Sequence, residues 1–106
     1  MPNQFDFVSV MKKPIVHYSG RSISHVLTME DGTKKTIGVI LPSEQPLVFE
    51  THVDENIEIT SGNCLVQIGN DKEYKQYRTG ESFKVLKNSI FKIQANEVID
   101  YVCHFD

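Results

Sequence analysis

The sequence predicts a small all-β protein folded as one domain. Three observations predict it. Apolar residues recur at every second position almost throughout, the spacing of half-buried strands, and no window sustains the i, i+3, i+4, i+7 stripe of an amphipathic helix. Gly-, Asn- and Asp-containing turn strings interrupt that alternation at short intervals, as in a sandwich or barrel. The length, 106 residues with 40% hydrophobic content, leaves room for one core, and a chain of this size buries roughly 65% of its unfolded surface without staples.

The elements follow in order. Residues 1–16 carry weak patterning, end near Pro14, and read as an N-terminal extension, either an added edge strand or a loose arm, ahead of a barrel at 17–106. Ile23, His25 and Leu27 alternate with Ser24, Val26 and Thr28, and the turn Glu30-Asp31-Gly32-Thr33 pairs 22–28 with 34–41 as a hairpin. Pro42 and Pro46 bracket a loop, because proline cannot donate to a central ladder. In the stretch that follows, Leu47, Phe49, Thr51 and Val53 share one face, expected inward, while Glu50, His52 and Asp54 share the other.

Residues 57–60 and 64–68 flank Ser61-Gly62-Asn63 and read as a second hairpin. Residues 74–78 are polar on both faces, which suits a sheet edge. Strands at 82–86, 90–95 and 98–105 complete about nine short strands. Ile99, Tyr101 and Cys103 share the inward face of the last one.

Charge and motifs exclude several functions. With 11 Lys and Arg against 14 Asp and Glu, the net charge is −3, the reverse of the basic excess that phosphate contacts demand, so no nucleic-acid partner is expected. No segment approaches the length of about 20 apolar residues needed for a membrane span. The first 13 residues carry Asp6 within their apolar cluster and Lys after it, unlike a secretory leader, which points to a cytoplasmic protein. The two cysteines, Cys64 and Cys103, lie far apart in apolar stretches and read as reduced core residues. There is no Gly-rich phosphate loop, no serine elbow and no paired C-x-x-C.

The turns, read with their flanks, carry a resemblance. Glu55, six residues, then Gly62, followed by Gly80 and a turn containing Asn88, resembles the two motifs of the cupin superfamily, a small jelly-roll barrel. In metal-binding cupins histidines stand at the positions held here by Phe49, Thr51 and Phe91, which leaves Glu55 alone of the metal set. One carboxylate does not hold a transition metal, so the resemblance implies a metal-free barrel. His52 with Asp54 and Glu55 offers no replacement, since His52 and Asp54 fall on the outer face.

More narrowly, the chain from about Val16 to its end resembles the cupin-type pyrimidine/purine nucleoside phosphorylases. The resemblance is carried by Tyr18-Ser19-Gly20-Arg21 with Ser24, Asp31-Gly32-Thr33-Lys34-Lys35-Thr36-Ile37-Gly38, Phe49-Glu50-Thr51, Ser61-Gly62, Gly80-Glu81-Ser82-Phe83, Asn88-Ser89-Ile90-Phe91 and Asp100-Tyr101-Val102-Cys103, in that order. It implies phosphorolysis: orthophosphate, a co-substrate with no other cofactor, attacks the anomeric carbon of a nucleoside and yields free base and pentose 1-phosphate. Such chemistry asks for a held phosphate, a stabilised oxocarbenium-like transition state and a proton for the leaving base.

Several residues can meet those demands, each with a structural alternative. Thr51 presents a hydroxyl at a cupin ligand position, or bonds a neighbouring strand. Glu55 orients ribose hydroxyls or stabilises positive charge, or bonds its own hairpin. Tyr101 donates to the leaving base, or to a backbone carbonyl. Arg21, Lys34 and Lys35 are the candidate phosphate cations, or solvated surface charges. Phe49 and Phe91 stack on the base, or pack the core. Asn88 and Ser89 bond sugar or phosphate from the rim, or only make the turn. A non-catalytic ligand-binding barrel and a barrel packed solid for an interaction role are the competing readings. Uncovered sheet edges predict a homodimer.

Overall fold

Hydrogen bonding divides the strands into two antiparallel sheets that face each other across the core. The computed structural model describes residues 3–105; the outermost parts of the expected extension and barrel, residues 1, 2 and 106, lie outside the described residues. The strands in chain order are β1 Ser9–Val10, β2 Ile15–His17, β3 Ser22–Thr28, β4 Lys34–Ile40, β5 Leu47–Glu50, β6 Glu55–Ser61, β7 Asn63–Ile68, β8 Lys75–Arg78, β9 Ser82–Val85, β10 Ile90–Ala95 and β11 Ile99–Phe105. The large sheet runs β1-β3-β4-β11-β6-β9, with β2 also on the free edge of β3, and the small sheet runs β5-β10-β7-β8.

The β3–β4 hairpin forms where expected, over Ser22–Thr28 and Lys34–Ile40. Asp31 fixes its turn by accepting from the backbone N–H of Thr33 at 3.0 Å and from its hydroxyl at 2.7 Å. From β4 onward every connection except β7–β8 crosses from one sheet to the other. That repeated crossing gives a jelly roll rather than a meander.

The expected hairpin of 57–60 with 64–68 does not form: β6 pairs with β11 and β9, β7 with β10 and β8. At Gly62 the chain turns a corner between sheets instead. Its φ is +107°, and a Cβ there would stand 2.6 Å from Cδ1 of Ile99 and 2.8 Å from the carbonyl oxygen of Val98. Only glycine fits both the conformation and the space. Thr79 ties the corner down, its hydroxyl accepting from the Gly62 N–H at 3.0 Å.

A second difference concerns the stretch after Pro46. β5 ends at Glu50, so the alternation stops there: Leu47 and Thr51 are buried, but Val53 is 48% exposed. The polar stretch at 74–78 does form a sheet edge, as β8.

The core fills the space between the sheets. Ile57, Ile59 and Ile99 from the large sheet meet Val66, Phe91 and Ile93 from the small one, each at most 5% exposed. Burying such a side chain contributes about 1.5–3 kcal/mol. Cys64 and Cys103 are both buried and form no disulfide, and burial pushes the Cys64 thiol up to about 11.

The expected boundary at residue 16 falls inside β2, which pairs with β3 through Ile15↔Ser24, Val16↔Ile23 and His17↔Ser22. Neither sheet hydrogen-bonds to the other along a continuous ladder. On the side where β2 and β5 approach, one side chain bridges the gap. The Tyr18 hydroxyl donates to the carbonyl of Val48 and accepts from its N–H, the latter at 3.0 Å. Val48 pairs with Lys92 on its other side, so the phenol satisfies the free edge of β5.

Candidate active site

The lumen between the sheets holds an open cavity of about 180 Å³ on the side of β2 and β5. Apolar walls come from Ile40, Ile57, Ile59, Ile93 and Phe105, and Phe49 and Phe91 face it from β5 and β10. Those two residues are register partners, and their rings stack at 5.4 Å between centroids with 25° between planes. The aromatic contacts continue in both directions. His17 and Tyr18 each meet Phe49 edge-on at 6.0 Å, and Phe83 meets Phe91 at 5.9 Å. Geometries of this kind are worth about 0.5–1.5 kcal/mol per pair beyond burial.

The polar groups at the cavity come chiefly from the large sheet. Ser24, Gly38 and Tyr101 stand in one row across β3, β4 and β11, since Gly38 is the register partner of both others. A Cβ on Gly38 would lie 2.5 Å from the Ile23 carbonyl oxygen and 2.8 Å from Cβ of Ser24. With no side chain between them, the Tyr101 phenol reaches the hydroxyls of Ser24 and Ser22. Burial raises its pKa, those two hydrogen bonds oppose the rise, and Cys103 and Glu55 add to it. A β-bulge at Thr60 on β6 lies beside this row, between the pairs Asp100↔Ser61 and Tyr101↔Ile59.

Glu55, at the start of β6, lines the same cavity and accepts a hydrogen bond from the Cys103 thiol at 3.3 Å. Burial raises its pKa, partly opposed by that thiol and by His52. The carboxyl group therefore keeps its proton to higher pH than a solvated glutamate. Thr36, Glu50, His17 and Cys103 complete the polar lining.

The remaining expected site residues lie elsewhere, for reasons of hydrogen bonding. Thr51 is 2% exposed and does not line the cavity. Its hydroxyl donates to the carbonyl of Leu86 at 2.7 Å, with that of Ser89 at 3.3 Å, and accepts from the Ser89 N–H at 3.0 Å. Thr51 thus fastens the turn before β10. Asn88 and Ser89 belong to that turn and line a separate polar depression with His52, Gly69 and Asn70, which touches the main cavity only through Glu50.

The expected phosphate cations are also displaced. Arg21 Nη1 donates to the carbonyl of Pro42 at 3.1 Å. Lys35 lies on the outer face of the large sheet, where Nζ donates to Nδ1 of His104 at 2.8 Å and His104 Nε2 meets Glu58 at 3.1 Å. Lys34 shares the strand face of Thr36 but is exposed and outside the lining. Among the described residues the cavity lining contains no Lys or Arg.

Three residues escaped the sequence reading: His17, Ser24 as a partner of Tyr101, and Gly38. An isolated glycine inside a strand pattern is the signal for close approach that Gly38 offered. His17 and Ile15 show strand alternation, but over three residues only. Among the described residues no three His, Cys, Asp or Glu side chains are grouped to hold a metal ion.

The two facing sheets and their crossings define a cupin-type jelly roll, and the fold is similar to the Schizosaccharomyces pombe Cnp3 cupin domain (TM-score 0.61, 13% identity, 80% of this chain and 61% of that one). Within that class the chain belongs to the pyrimidine/purine nucleoside phosphorylase family, whose sequence profile matches residues 12–105. It is 57% identical over 103 residues to the pyrimidine/purine nucleoside phosphorylase of Acinetobacter baumannii, covering 97% of this chain and 95% of that one. The crystal structure of a protein of unknown function from Acinetobacter sp. ADP1 superposes with a TM-score of 0.96 at 57% identity, over 97% of this chain and 98% of that one.

Proposed function

We propose that this chain is an enzyme that phosphorolyses pyrimidine and purine nucleosides in the lumen between its sheets. What carries the reading is that a chain matching the family over residues 12–105 opens at one place where stacked phenyl rings, a phenol and a carboxyl group whose pKa burial raises meet. Phe49 and Phe91 present an apolar face for the base. Every nucleobase has such a face, which suits acceptance of both base classes. Tyr101 with Ser24 bonds the sugar hydroxyls.

In the reaction a phosphate oxygen bonds to the anomeric carbon as the C–N glycosidic bond breaks, and the bonding pair leaves with the base nitrogen. That nitrogen takes a proton. Glu55 supplies it from its protonated form, which burial favours, and it regains a proton from solvent through the open cavity. No step needs a metal or other cofactor.

The enzyme acts in the cytoplasm as a homodimer. That the buried Cys64 and Cys103 form no disulfide supports the first statement. The edges at β8 and β9 and the exposed Phe7, Val10, Met11 and Val16 support the second.

The test is to incubate purified protein with uridine, inosine and adenosine, with and without phosphate, and to separate the products. Phosphate-dependent release of base, insensitive to chelator, is expected. Silence on all three nucleosides would overturn the reading in favour of a ligand-binding barrel. Light scattering at about twice the chain mass checks the dimer.

A further inference from the structure

We infer that His17 is the group that receives the attacking phosphate, and so is a phosphate-specificity residue supplied by the N-terminal arm. The inference rests on the proposed phosphorolysis and adds the residue that admits the anion.

The reasoning starts from charge. The ionisable groups lining the cavity are Glu50, Glu55, Tyr101, Cys103 and His17. The first four are neutral or negative in every protonation state. A phosphate dianion brought among them meets no opposite charge, and in a partly desolvated space repulsion is stronger than in water. A donor that can also carry positive charge offsets that repulsion, which neutral hydroxyls and a thiol do not. Among the described lining residues only His17 qualifies.

Of the three cations expected at the phosphate, two are engaged elsewhere. Arg21 is bonded to the Pro42 carbonyl and Lys35 to His104 on the outer face. Lys34 alone is exposed on the strand face of Thr36, which makes it the comparison residue.

Position agrees with chemistry. His17 follows Ile15 at the alternate position of β2, so both point into the cavity while Val16 points away. Its register partner is Ser22, whose hydroxyl meets Tyr101. Its ring stands edge-on to Phe49 at 6.0 Å and 88°. A phosphate on the imidazole is therefore placed beside the aromatic face offered to the base, on the open side of the cavity where an anion arrives from water. The Tyr18 bonds to Val48 fix the backbone next to His17 and hold the ring there.

The test separates phosphate from nucleoside. His17→Gln keeps a hydrogen-bonding side chain that cannot carry charge; His17→Arg places a permanent cation there; Lys34→Gln is the comparison. For wild type and each variant, steady-state KM is measured for phosphate at saturating uridine and for uridine at saturating phosphate, and phosphate binding without nucleoside is followed by 31P NMR. The expected result is a phosphate KM raised about tenfold in His17→Gln with uridine KM within about twofold of wild type, partial recovery in His17→Arg, and little change in Lys34→Gln.

The NMR titration should show the same loss. β2 is exposed along its length, so the variants are expected to fold, which circular dichroism checks. An unchanged phosphate KM in His17→Gln, equal effects on both KM values, or a phosphate effect confined to Lys34→Gln would each overturn the inference while leaving phosphorolysis intact. A wild-type protein that binds phosphate through His17 by NMR but releases no base would overturn phosphorolysis instead.

Discussion

The Cys103 thiol donates to the Glu55 carboxyl at 3.3 Å across the pair β6–β11, so a partly buried acid and a buried thiol share one wall of the cavity.

Glu55 makes stability depend on pH in a definite sense. Burial raises its pKa in the native state above the ordinary glutamate value, so between the unfolded and native values the native state binds the extra proton. Stability from this group is complete below the unfolded value and is lost as pH rises through the native one. Glu55→Gln, which resembles the protonated form, should therefore be more stable relative to wild type at pH 7 than at pH 4 in thermal unfolding. It should also abolish most turnover. The opposite order with pH would show that the carboxylate is the favoured form.

Thr51→Val should act on folding rather than on chemistry. The variant leaves the Ser89 N–H and the Leu86 carbonyl without the hydroxyl that joins them to β5, a cost of about 1–3 kcal/mol for unsatisfied buried groups. Urea denaturation should show that loss, and Thr51→Ser should recover most of it. A direct effect on nucleoside binding at unchanged stability would return Thr51 to the site.

Phe49→Leu keeps bulk and removes the ring that stacks on Phe91. The lost aromatic pairing, about 0.5–1.5 kcal/mol, should raise KM for uridine and inosine between about twofold and tenfold while the KM for phosphate stays close to wild type. Initial rates with each substrate varied in turn decide it.

Gly38→Ala drives a methyl group into the Ile23 carbonyl and Ser24. Overpacking of this kind costs about 1–3 kcal/mol, and it also separates Tyr101 from Ser24. Both the melting temperature and kcat/KM should fall. If only the first falls, the Tyr101–Ser24 row does not serve the reaction.

How much of this was legible beforehand depends on whether the deciding contact is local. The β3–β4 hairpin and the edge strand β8 are written in their own residues, through alternation and an Asp-Gly-Thr turn. The corner at Gly62 is not, because Ser61-Gly62-Asn63 suits a hairpin equally well and the decision is made by Val98 and Ile99, which are remote in sequence. The site divides in the same way. Period 2 turns Phe49, Phe91, Glu55 and Tyr101 toward one lumen. It cannot show that Thr51 bonds to Leu86 and Ser89, that Arg21 meets Pro42, or that Lys35 meets His104. His17 lay hidden because three residues of strand are too few to display a period.

The bridge between β2 and β5 has a consequence for time. A barrel closed all round by ladder hydrogen bonds exchanges its contents only by breaking strand pairs, a collective and slow event. Here the side facing the cavity is held by side chains alone, the two bonds of the Tyr18 phenol to Val48 and the edge contacts of His17 and Tyr18 with Phe49. Rotation of an exposed side chain takes picoseconds to nanoseconds and loop motions nanoseconds to microseconds. Traffic of small molecules through that side is thereby uncoupled from the much slower breathing of the sheets, and the rigid walls that position the reacting atoms need not move for the lumen to empty and refill.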